Sequence, residues 1–308
     1  MMIIWMLGTV FTVFIVVAAI YFVAPGVLFN LAMALARRNG GLSCKQVTVD
    51  GHCIPYLEGG SGEPLLLLHG FAANKDHWTL IAPLLTRHFH IIAPDIPGFG
   101  DSSRHQDACY GLDEQLARIA GFADALHLDE FHLGGNSMGG YLAAMFAARH
   151  PGKIKSLWLL APAGVLSAEP SEMQEMFERG ENPLLVDGAR AFDDLADLAF
   201  TVQPPMPAQF KRPLIKRAVA EAPFNAKIFS EMFTDPVGLE PELEGCDVRS
   251  LIVWGDQDRL VHSSGAEILH RLLSSSECRV MSLMGHVPMV ERPAETAADY
   301  LRFQGKLG

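Results

Sequence analysis

Gly134-Gly135-Asn136-Ser137-Met138-Gly139-Gly140 is the stretch that decides the fold of this chain. An apolar run precedes it, and a run of small, helix-forming residues follows it, so a serine is placed where a buried strand turns sharply into a helix. A turn this tight needs glycine at positions 135 and 139, because a Cβ at either position would crowd it. In this context the pattern G-x-S-x-G predicts a nucleophilic serine, with an N-capping serine in a glycine-rich turn as the alternative.

The composition narrows the class of function. The 308 residues carry a formal net charge of −11 without any block of Lys and Arg, which argues against nucleic acid as a partner. The five cysteines are scattered with no C-x-x-C pair, so neither a zinc site nor a disulfide framework is indicated. We therefore predict no metal, no cofactor and no nucleic-acid partner.

The N-terminus has the composition of a membrane span. Residues 2–23 include no charged side chain and are long enough to cross the hydrocarbon core of a bilayer, which takes about 20 residues. A cleaved signal peptide is the alternative, but the basic n-region is missing and no A-x-A cleavage site follows. The apolar pattern continues to Leu35 and ends at Arg37-Arg38, which predicts a juxtamembrane helix or one long tilted helix over residues 1–38.

Two further expectations attach to this N-terminal segment. The basic pair Arg37-Arg38 on its C-terminal flank favours a cytoplasmic catalytic domain by the positive-inside tendency. Small residues within the span, at Gly8, Ala18 and Ala19, together with the surplus apolar helix, predict a possible homodimer contact. The alternative is that membrane lipid, and no second copy of the chain, surrounds that apolar surface.

Strand and helix patterns alternate along the rest of the chain. A hairpin turn signal at Asp50-Gly51 joins two strand patterns, and apolar strand runs then alternate with helix patterns, including one helix predicted over residues 76–85. Such alternation predicts an α/β fold with a mostly parallel sheet and helices on both faces. It stops over residues 164–245, where helix formers, prolines, Phe and Met predict a helical cap. The core would then comprise residues 39–163 and 246–308.

The predicted nucleophile has candidate partners at the ends of other strands. A serine hydroxyl needs a base to take its proton and an acid to orient that base. Asp256 and Asp258 follow one predicted strand and His286 follows another, so the chain order is Ser, Asp, His. His69 also follows a strand, but it precedes the serine, and we interpret it as structural. Either aspartate can serve as the acid on this reasoning.

Two backbone amides are the predicted oxyanion donors. The Met138 N–H follows the nucleophile directly, and the Phe71 N–H lies in the loop after the first parallel strand. Phe71 is also a candidate hydrophobic plug, and both roles are compatible because the donor is the backbone. Each donor of this kind contributes roughly 10²–10³ to the rate of acyl transfer.

From about residue 47 to its end the chain resembles α/β-hydrolases of the monoacylglycerol-lipase type and bacterial membrane-anchored phospholipases A. The motifs that carry the resemblance are His69-Gly-Phe-Ala-Ala-Asn-Lys-Asp-His-Trp78, Asp95-x-Pro-Gly-x-Gly-x-Ser102, Gly-Asn-Ser-Met-Gly139, Ala161-Pro-Ala-Gly164, Gly255-Asp-Gln-Asp258 and Gly285-His286.

The resemblance implies a role for each of five residues. It implies Ser137 as nucleophile, Asp258 rather than Asp256 as acid, His286 as base, and Phe71 and Met138 as oxyanion donors. It also implies an inner-membrane anchor with a periplasmic catalytic domain. This conflicts with the cytoplasmic location that the basic pair Arg37-Arg38 favours.

These observations predict a membrane-anchored serine hydrolase. It would cleave esters of acyl lipids through an acyl-enzyme, with the lipid substrate and the fatty-acid product held under the cap. A tethered lipid-binding protein without catalysis is the alternative from another class. A peptidase or a carbon–carbon hydrolase on the same scaffold is the third hypothesis, since those enzymes keep the serine.

Overall fold

The computed structural model describes residues 5–6 and 21–307 of the chain. Of the predicted membrane span, residues 2–23, only residues 5–6 and 21–23 are among the described residues, and the rest lies outside them. Among the residues described, no helix combines the length and apolar character that crossing a membrane requires.

An eight-stranded sheet forms the centre of the molecule. Its strands run in the spatial order β1-β2-β4-β3-β5-β6-β7-β8. The first two form the predicted hairpin, β2 pairs with β4 antiparallel, and every later pairing is parallel. This confirms the prediction of a mostly parallel sheet. The strands are β1 (Leu42–Val49), β2 (His52–Gly60), β3 (Glu63–Leu68), β4 (Phe89–Pro94), β5 (Phe131–Asn136), β6 (Ile154–Leu160), β7 (Ser250–Gly255) and β8 (Ser276–Met281).

Helices cover both faces of the sheet, as the alternating pattern predicted. They are α1 (Pro25–Asn39), α2 (Ala82–Leu85), α3 (Leu112–Ala125), α4 (Met138–Arg149), α5 (Glu172–Glu178), α6 (Ala189–Ala199), α7 (Ala208–Phe233), α8 (Leu239–Leu243), α9 (Ser264–Leu272), α10 (Pro288–Glu291) and α11 (Pro293–Phe303). Two short 3₁₀ turns cover Lys75–Trp78 and Pro151–Lys153. The central strands are buried on both faces, and Leu65 to Leu68 of β3 are fully buried. A continuous apolar run is the sequence that such a strand requires.

The helix predicted over residues 76–85 is wrong. The chain there forms the 3₁₀ turn Lys75–Trp78 and then the four-residue helix α2. Pro83 explains the break, because its ring cannot donate a backbone hydrogen bond and clashes with the carbonyl of the residue four positions earlier, Thr79. The buried side chains Trp78, Ala82 and Leu85 still face the core, so the apolar spacing was real although the helix is interrupted.

Helices α5 to α8 all lie between β6 and β7, in the stretch where the alternation of strand and helix patterns stops. The longest, α7, includes Pro213 and Pro223. One of its partners outside this stretch is α1, whose Phe29 ring lies 6.0 Å from the Phe210 ring. The N-terminal helix thus packs on the inserted helices as well as on the edge of the sheet.

Candidate active site

Ser137 occupies a strained turn between β5 and α4. Its backbone has φ 56° and ψ −120°, a conformation that a residue with a side chain seldom adopts and that costs roughly 1–3 kcal/mol. The Ser137 N–H donates to the Leu160 carbonyl at 3.0 Å, and the Ser137 carbonyl accepts from the Ala163 N–H at 3.1 Å. These bonds to β6 and the loop after it hold the turn in place.

The two flanking glycines allow this turn. A Cβ on Gly135 would lie 2.2 Å from the Gly139 carbonyl oxygen, and a Cβ on Gly139 would lie 2.2 Å from the Leu68 carbonyl oxygen. No side chain fits at such distances. The absence of a side chain at Gly139 therefore also allows the end of β3 to lie against the start of α4, beside the serine.

His286 lies in the loop after β8 and is held by an aspartate in the loop after β7. Its Nδ1–H donates to Asp258 Oδ2 at 2.7 Å, and both side chains are buried. Because the carboxylate can only accept, Nδ1 carries a proton, and the neutral form of the ring has its lone pair on Nε2. The imidazole is therefore in the tautomer that a general base for a serine requires.

The second oxygen of Asp258 is also engaged. Oδ1 accepts from the backbone N–H groups of Leu260 and Val261, each at 2.9 Å. Asp256 has a different contact, since its Oδ1 accepts from the Leu283 N–H at 2.7 Å and its side chain is exposed. Of the two aspartates that the sequence left open, the structure brings Asp258 to the histidine.

Asn136 joins the serine loop to the histidine loop. Its side-chain amide donates to the Leu160 carbonyl and to the His286 carbonyl, both at 3.0 Å. The His286 N–H donates in turn to the Ala199 carbonyl at the end of α6, at 2.8 Å. The histidine backbone is thus fixed from the sheet side and from the inserted helices.

Of the two predicted oxyanion amides, that of Met138 lies in the serine turn and that of Phe71 lies in the neighbouring loop after β3. Met138 begins α4, where the first N–H groups of a helix have no partner within the helix. Gly70 lies against the serine, because a Cβ on Gly70 would be 3.4 Å from Ser137 Cβ. Phe71 follows directly, and within the described residues neither the Phe71 nor the Met138 N–H donates a hydrogen bond. The Phe71 ring packs on Phe99 and on α7, so this side chain also closes the loop.

His69 has a structural environment. Its Nδ1–H donates to the Gly70 carbonyl at 2.8 Å, and its Nε2 accepts from the Ile96 N–H at 3.0 Å. Complete burial lowers the His69 pKa to about 4, so the ring is neutral at neutral pH. Both nitrogens are committed to the backbone, which leaves none for proton transfer with the serine.

A cavity of about 250 Å³ contains Ser137 and His286 in its wall. Most of the wall is apolar and comes from the loop after β3, from α5 and α6, and from the loops after β7 and β8. Its lining residues are Gly70, Phe71, Ala72, Ala73, His77, Asn136, Ser137, Met173, Leu184, Phe192, Leu195, Ala196, Ala199, Phe200, Leu260, His286 and Val287. The described residues include no group of His, Cys, Asp and Glu arranged to hold a metal ion.

The sequence reasoning missed three contributors to this site. Asn136 was quoted in the turn but given no role, Ala199 supplies only a backbone carbonyl, and His77 was read as part of a helix. A strand-end position was the available signal for Asn136. Nothing in the sequence pattern marks Ala199.

Comparison with known proteins supports a common family. Residues 63–293 match the family model of the alpha/beta hydrolase fold. The chain is 35% identical over 276 residues to lipase 3 of Moraxella sp. (strain TA144), covering 88% of this chain and 87% of that lipase. It is 27% identical to the monoacylglycerol lipase ABHD6 of Homo sapiens, over 96% of this chain and 92% of that protein.

A solved structure shows the same similarity in three dimensions. The crystal structure of a membrane phospholipase A, described as a bacterial virulence factor, superposes with a TM-score of 0.90 at 45% sequence identity. The match covers 98% of this chain and 97% of that one.

Proposed function

The chain belongs to the alpha/beta hydrolase fold family and is a carboxylic ester hydrolase, and from this premise we propose that it cleaves acyl lipids through an acyl-enzyme on Ser137. The observation that carries the proposal is the hydrogen bond from His286 to Asp258 beside the cavity that also contains Ser137. The strained backbone of Ser137 and the two amides without hydrogen-bond partners, Phe71 and Met138, support the same proposal.

The proposed reaction has two halves. His286 Nε2 takes the Ser137 proton as Oγ attacks the ester carbonyl, and the Phe71 and Met138 amides donate to the oxyanion. Asp258 stabilises the imidazolium, which then gives its proton to the leaving alcohol. Water then attacks the carbonyl of the acyl-enzyme and gives a proton to His286, which passes it to Ser137 Oγ as the bond to the acyl group breaks and the fatty acid leaves.

The substrate class follows from the cavity and the relatives. The wall is predominantly aliphatic and aromatic, which suits an acyl chain. Relatives named lipase, monoacylglycerol lipase and phospholipase A support phospholipids, lysophospholipids or monoacylglycerols as substrates. We assign residues 164–245 as the cap that covers the acyl chain, because Met173, Phe192 and Phe200 from this stretch line the cavity.

We also propose a membrane location. Residues 2–23 would anchor the chain in the inner membrane, with the catalytic domain in the periplasm, as the resemblance implies. The anchor would hold the cavity at the bilayer that supplies its lipid. Residues 1–38 are also our candidate contact with a second copy, which cross-linking of the full chain and of residues 39–308 would test.

The test of catalysis is Ser137→Ala in the full chain, purified in mild detergent. We expect ester hydrolysis to fall by about 10⁴-fold or more, since the members of such a triad act as a unit. Labelling by a fluorophosphonate probe should be lost with it. Ser167→Ala is the matched control, because Ser167 binds Glu240 away from the cavity and its loss should leave both readouts intact.

The remaining outcomes separate the alternatives. A Ser137→Ala protein that hydrolyses esters as fast as the parent would refute the nucleophile. Wild-type protein that binds lipid but neither reacts with the probe nor releases fatty acid would support the non-catalytic alternative. Reaction with the probe without any lipid ester hydrolysis would favour a peptidase or a carbon–carbon hydrolase.

A further inference from the structure

His77 is a polar side chain in the wall of the active-site cavity that has no partner. Its Nδ1 is shut off from solvent without a hydrogen bond, and no other hydrogen bond within the described residues involves the ring. Of the residues that line the cavity, only His77 has such a buried, unpartnered side-chain atom. Nε2 has no hydrogen-bond partner either, and it is not among the ring atoms that are shut off from solvent, so it is the nitrogen open to a bound molecule.

The other polar side chains of the cavity are already engaged. Asn136 donates to two backbone carbonyls, His286 donates to Asp258, and Ser137 is the nucleophile. His69 shows what a structural histidine looks like in this molecule, with both ring nitrogens bonded to the backbone. His77 differs from it in having neither nitrogen bonded.

The charge state of His77 limits what it can bind. Burial, reinforced by the nearby His69 and His286 rings, lowers the His77 pKa to about 4, so the imidazole is neutral at neutral pH. No Lys or Arg is found among the described residues that line the cavity. A neutral ring without cationic neighbours suits a hydroxyl group and offers little to a phosphate, which prefers Arg or Lys.

The ring is presented by a rigid turn. Within the 3₁₀ turn Lys75–Trp78, the Lys75 ammonium binds Asp95 at 2.7 Å and the Asp76 carboxylate forms two bonds to Arg37, at 2.7 and 2.6 Å. Asn74 caps the turn by accepting from the Asp76 N–H at 2.9 Å. A side chain whose neighbours are fixed in this way loses little conformational freedom when it binds a ligand.

We propose that His77 recognises a free hydroxyl on the alcohol half of the ester, so that the enzyme prefers monoacyl glycerolipids over esters of plain alcohols. The hydroxyl would bind Nε2, because Nδ1 is closed off and Nε2 is not. The proposal rests on the proposed ester hydrolysis at Ser137, and it makes His77 a determinant of substrate specificity.

The test compares two esters of one acid, 1-monodecanoylglycerol and propyl decanoate, with the full-length wild type, His77→Phe and His77→Gln. The quantity measured is the ratio of kcat/KM for the first ester to kcat/KM for the second. Phenylalanine keeps a ring of similar size without donors, and we expect it to lower the ratio at least tenfold. Glutamine places an amide N–H near the position of Nε2, and we expect it to retain most of the ratio.

Three results would overturn the proposal. A His77→Phe ratio within threefold of wild type means that the ring does not read the hydroxyl, even if both activities fall together, as they would for an oxyanion donor. An equal loss of the ratio in the Phe and Gln variants assigns the effect to shape. Wild-type protein that hydrolyses phospholipid but neither of these esters also overturns it, whereas protein that hydrolyses no acyl lipid refutes the proposed function itself. If thermal melting shows that His77→Phe does not fold, His77→Met replaces it, and we expect the same drop in the ratio of the two kcat/KM values.

Discussion

At the scale of single residues, Asp258 and Asp256 provide a matched pair of carboxylates. In Asp258→Asn the side-chain oxygen would stay with the Leu260 and Val261 N–H groups, which turns the amide NH₂ toward His286 Nδ1. The histidine must then accept at Nδ1 and carry its proton on Nε2, the wrong tautomer for a base. We expect kcat to fall about 10⁴-fold.

Asp256→Asn is the control for this change. Its carboxylate binds only the Leu283 N–H, which an amide oxygen can also accept, so we expect kcat within about threefold of wild type. Steady-state hydrolysis of one monoacyl ester by both variants decides the matter. If the two variants lose activity equally, the assignment of Asp258 as the acid is wrong.

Buried neutral His69 makes folding stability depend on pH. Its pKa is about 4 in the folded chain and about 6.5 when unfolded, so below pH 6.5 the unfolded chain binds a proton that the folded chain does not. Stability therefore falls as pH decreases from about 6.5 and stops falling on this account near pH 4. Between pH 7 and 5 we expect His69 to contribute a loss of about 2 kcal/mol, measured by urea denaturation.

His69→Gln is the comparison for that pH dependence. Glutamine can donate to the Gly70 carbonyl and accept from the Ile96 N–H, but it has no proton to gain in this range. We expect the variant to lose about 2 kcal/mol less than wild type between pH 7 and 5. Identical pH profiles of the two proteins would contradict the buried neutral state.

The sequence predicted which catalytic residues to consider but not every contact. Ser137, Asp258 and His286 each follow a strand, and the carboxyl ends of parallel strands meet at one edge of a sheet, so their proximity was foreseeable. The roles of these residues remain predictions until they are tested. His77 could not be found in this way, because its distinguishing feature is the lack of a partner, which only the folded chain reveals.

At the scale of secondary-structure elements, a buried ion pair links the turn after β3 to β4. The Lys75 ammonium lies 2.7 Å from Asp95 and 2.8 Å from Asp101, and Lys75 and Asp95 are almost fully buried. In Lys75→Met the Asp95 carboxylate would remain buried without its cation. We expect the free energy of unfolding, measured in urea, to fall by about 3–5 kcal/mol.

A second substitution tests the cause of that loss. Adding Asp95→Asn to Lys75→Met removes the uncompensated charge, so the double variant should be more stable than Lys75→Met alone. A Lys75→Met protein within about 1 kcal/mol of wild type would show that the pair contributes little. If the second substitution lowered stability further, the uncompensated charge of Asp95 would not be the cause of the loss.

Elements whose apolar pattern matches one regular period were predicted well, and interrupted elements were not. β3 covers Glu63–Leu68, and its four fully buried leucines form the continuous apolar run that a strand buried on both faces requires. The stretch around Pro83 has helical spacing as well, yet proline interrupts its backbone bonds. The spacing of apolar residues indicates which side chains face the core, whereas the continuity of a helix depends on every backbone N–H that can donate within it.

At the scale of the whole molecule, α1 and the residues just before it contact two elements near the active site, helix α7 and the 3₁₀ turn Lys75–Trp78. The rings of Tyr21 and Phe29 lie 6.1 and 6.0 Å from the Phe210 ring of α7. At its other end α1 places Arg37 against Asp76, beside His77. Residues that the sequence indicated as a juxtamembrane helix therefore also brace the catalytic domain.

Deleting residues 1–38 should consequently destabilise the domain as well as remove the proposed anchor. The Arg37–Asp76 pair and the ring contacts with Phe210 together contribute about 2 kcal/mol, taking roughly 1 kcal/mol for each. That loss corresponds to about 3 °C in Tm for a domain of this size. Thermal melting in the same detergent, followed by intrinsic fluorescence, measures it.

Deletion of residues 1–20 alone separates support of the domain from anchoring to the membrane. This shorter truncation keeps Tyr21, Phe29 and Arg37, so we expect its Tm to stay within about 1 °C of the full chain. Both truncated proteins should leave the membrane fraction on an alkaline carbonate wash, while the full chain should remain. If the longer truncation melts with the full chain, α1 gives the domain no support, and full-length protein released by the wash would remove the anchor from the proposal.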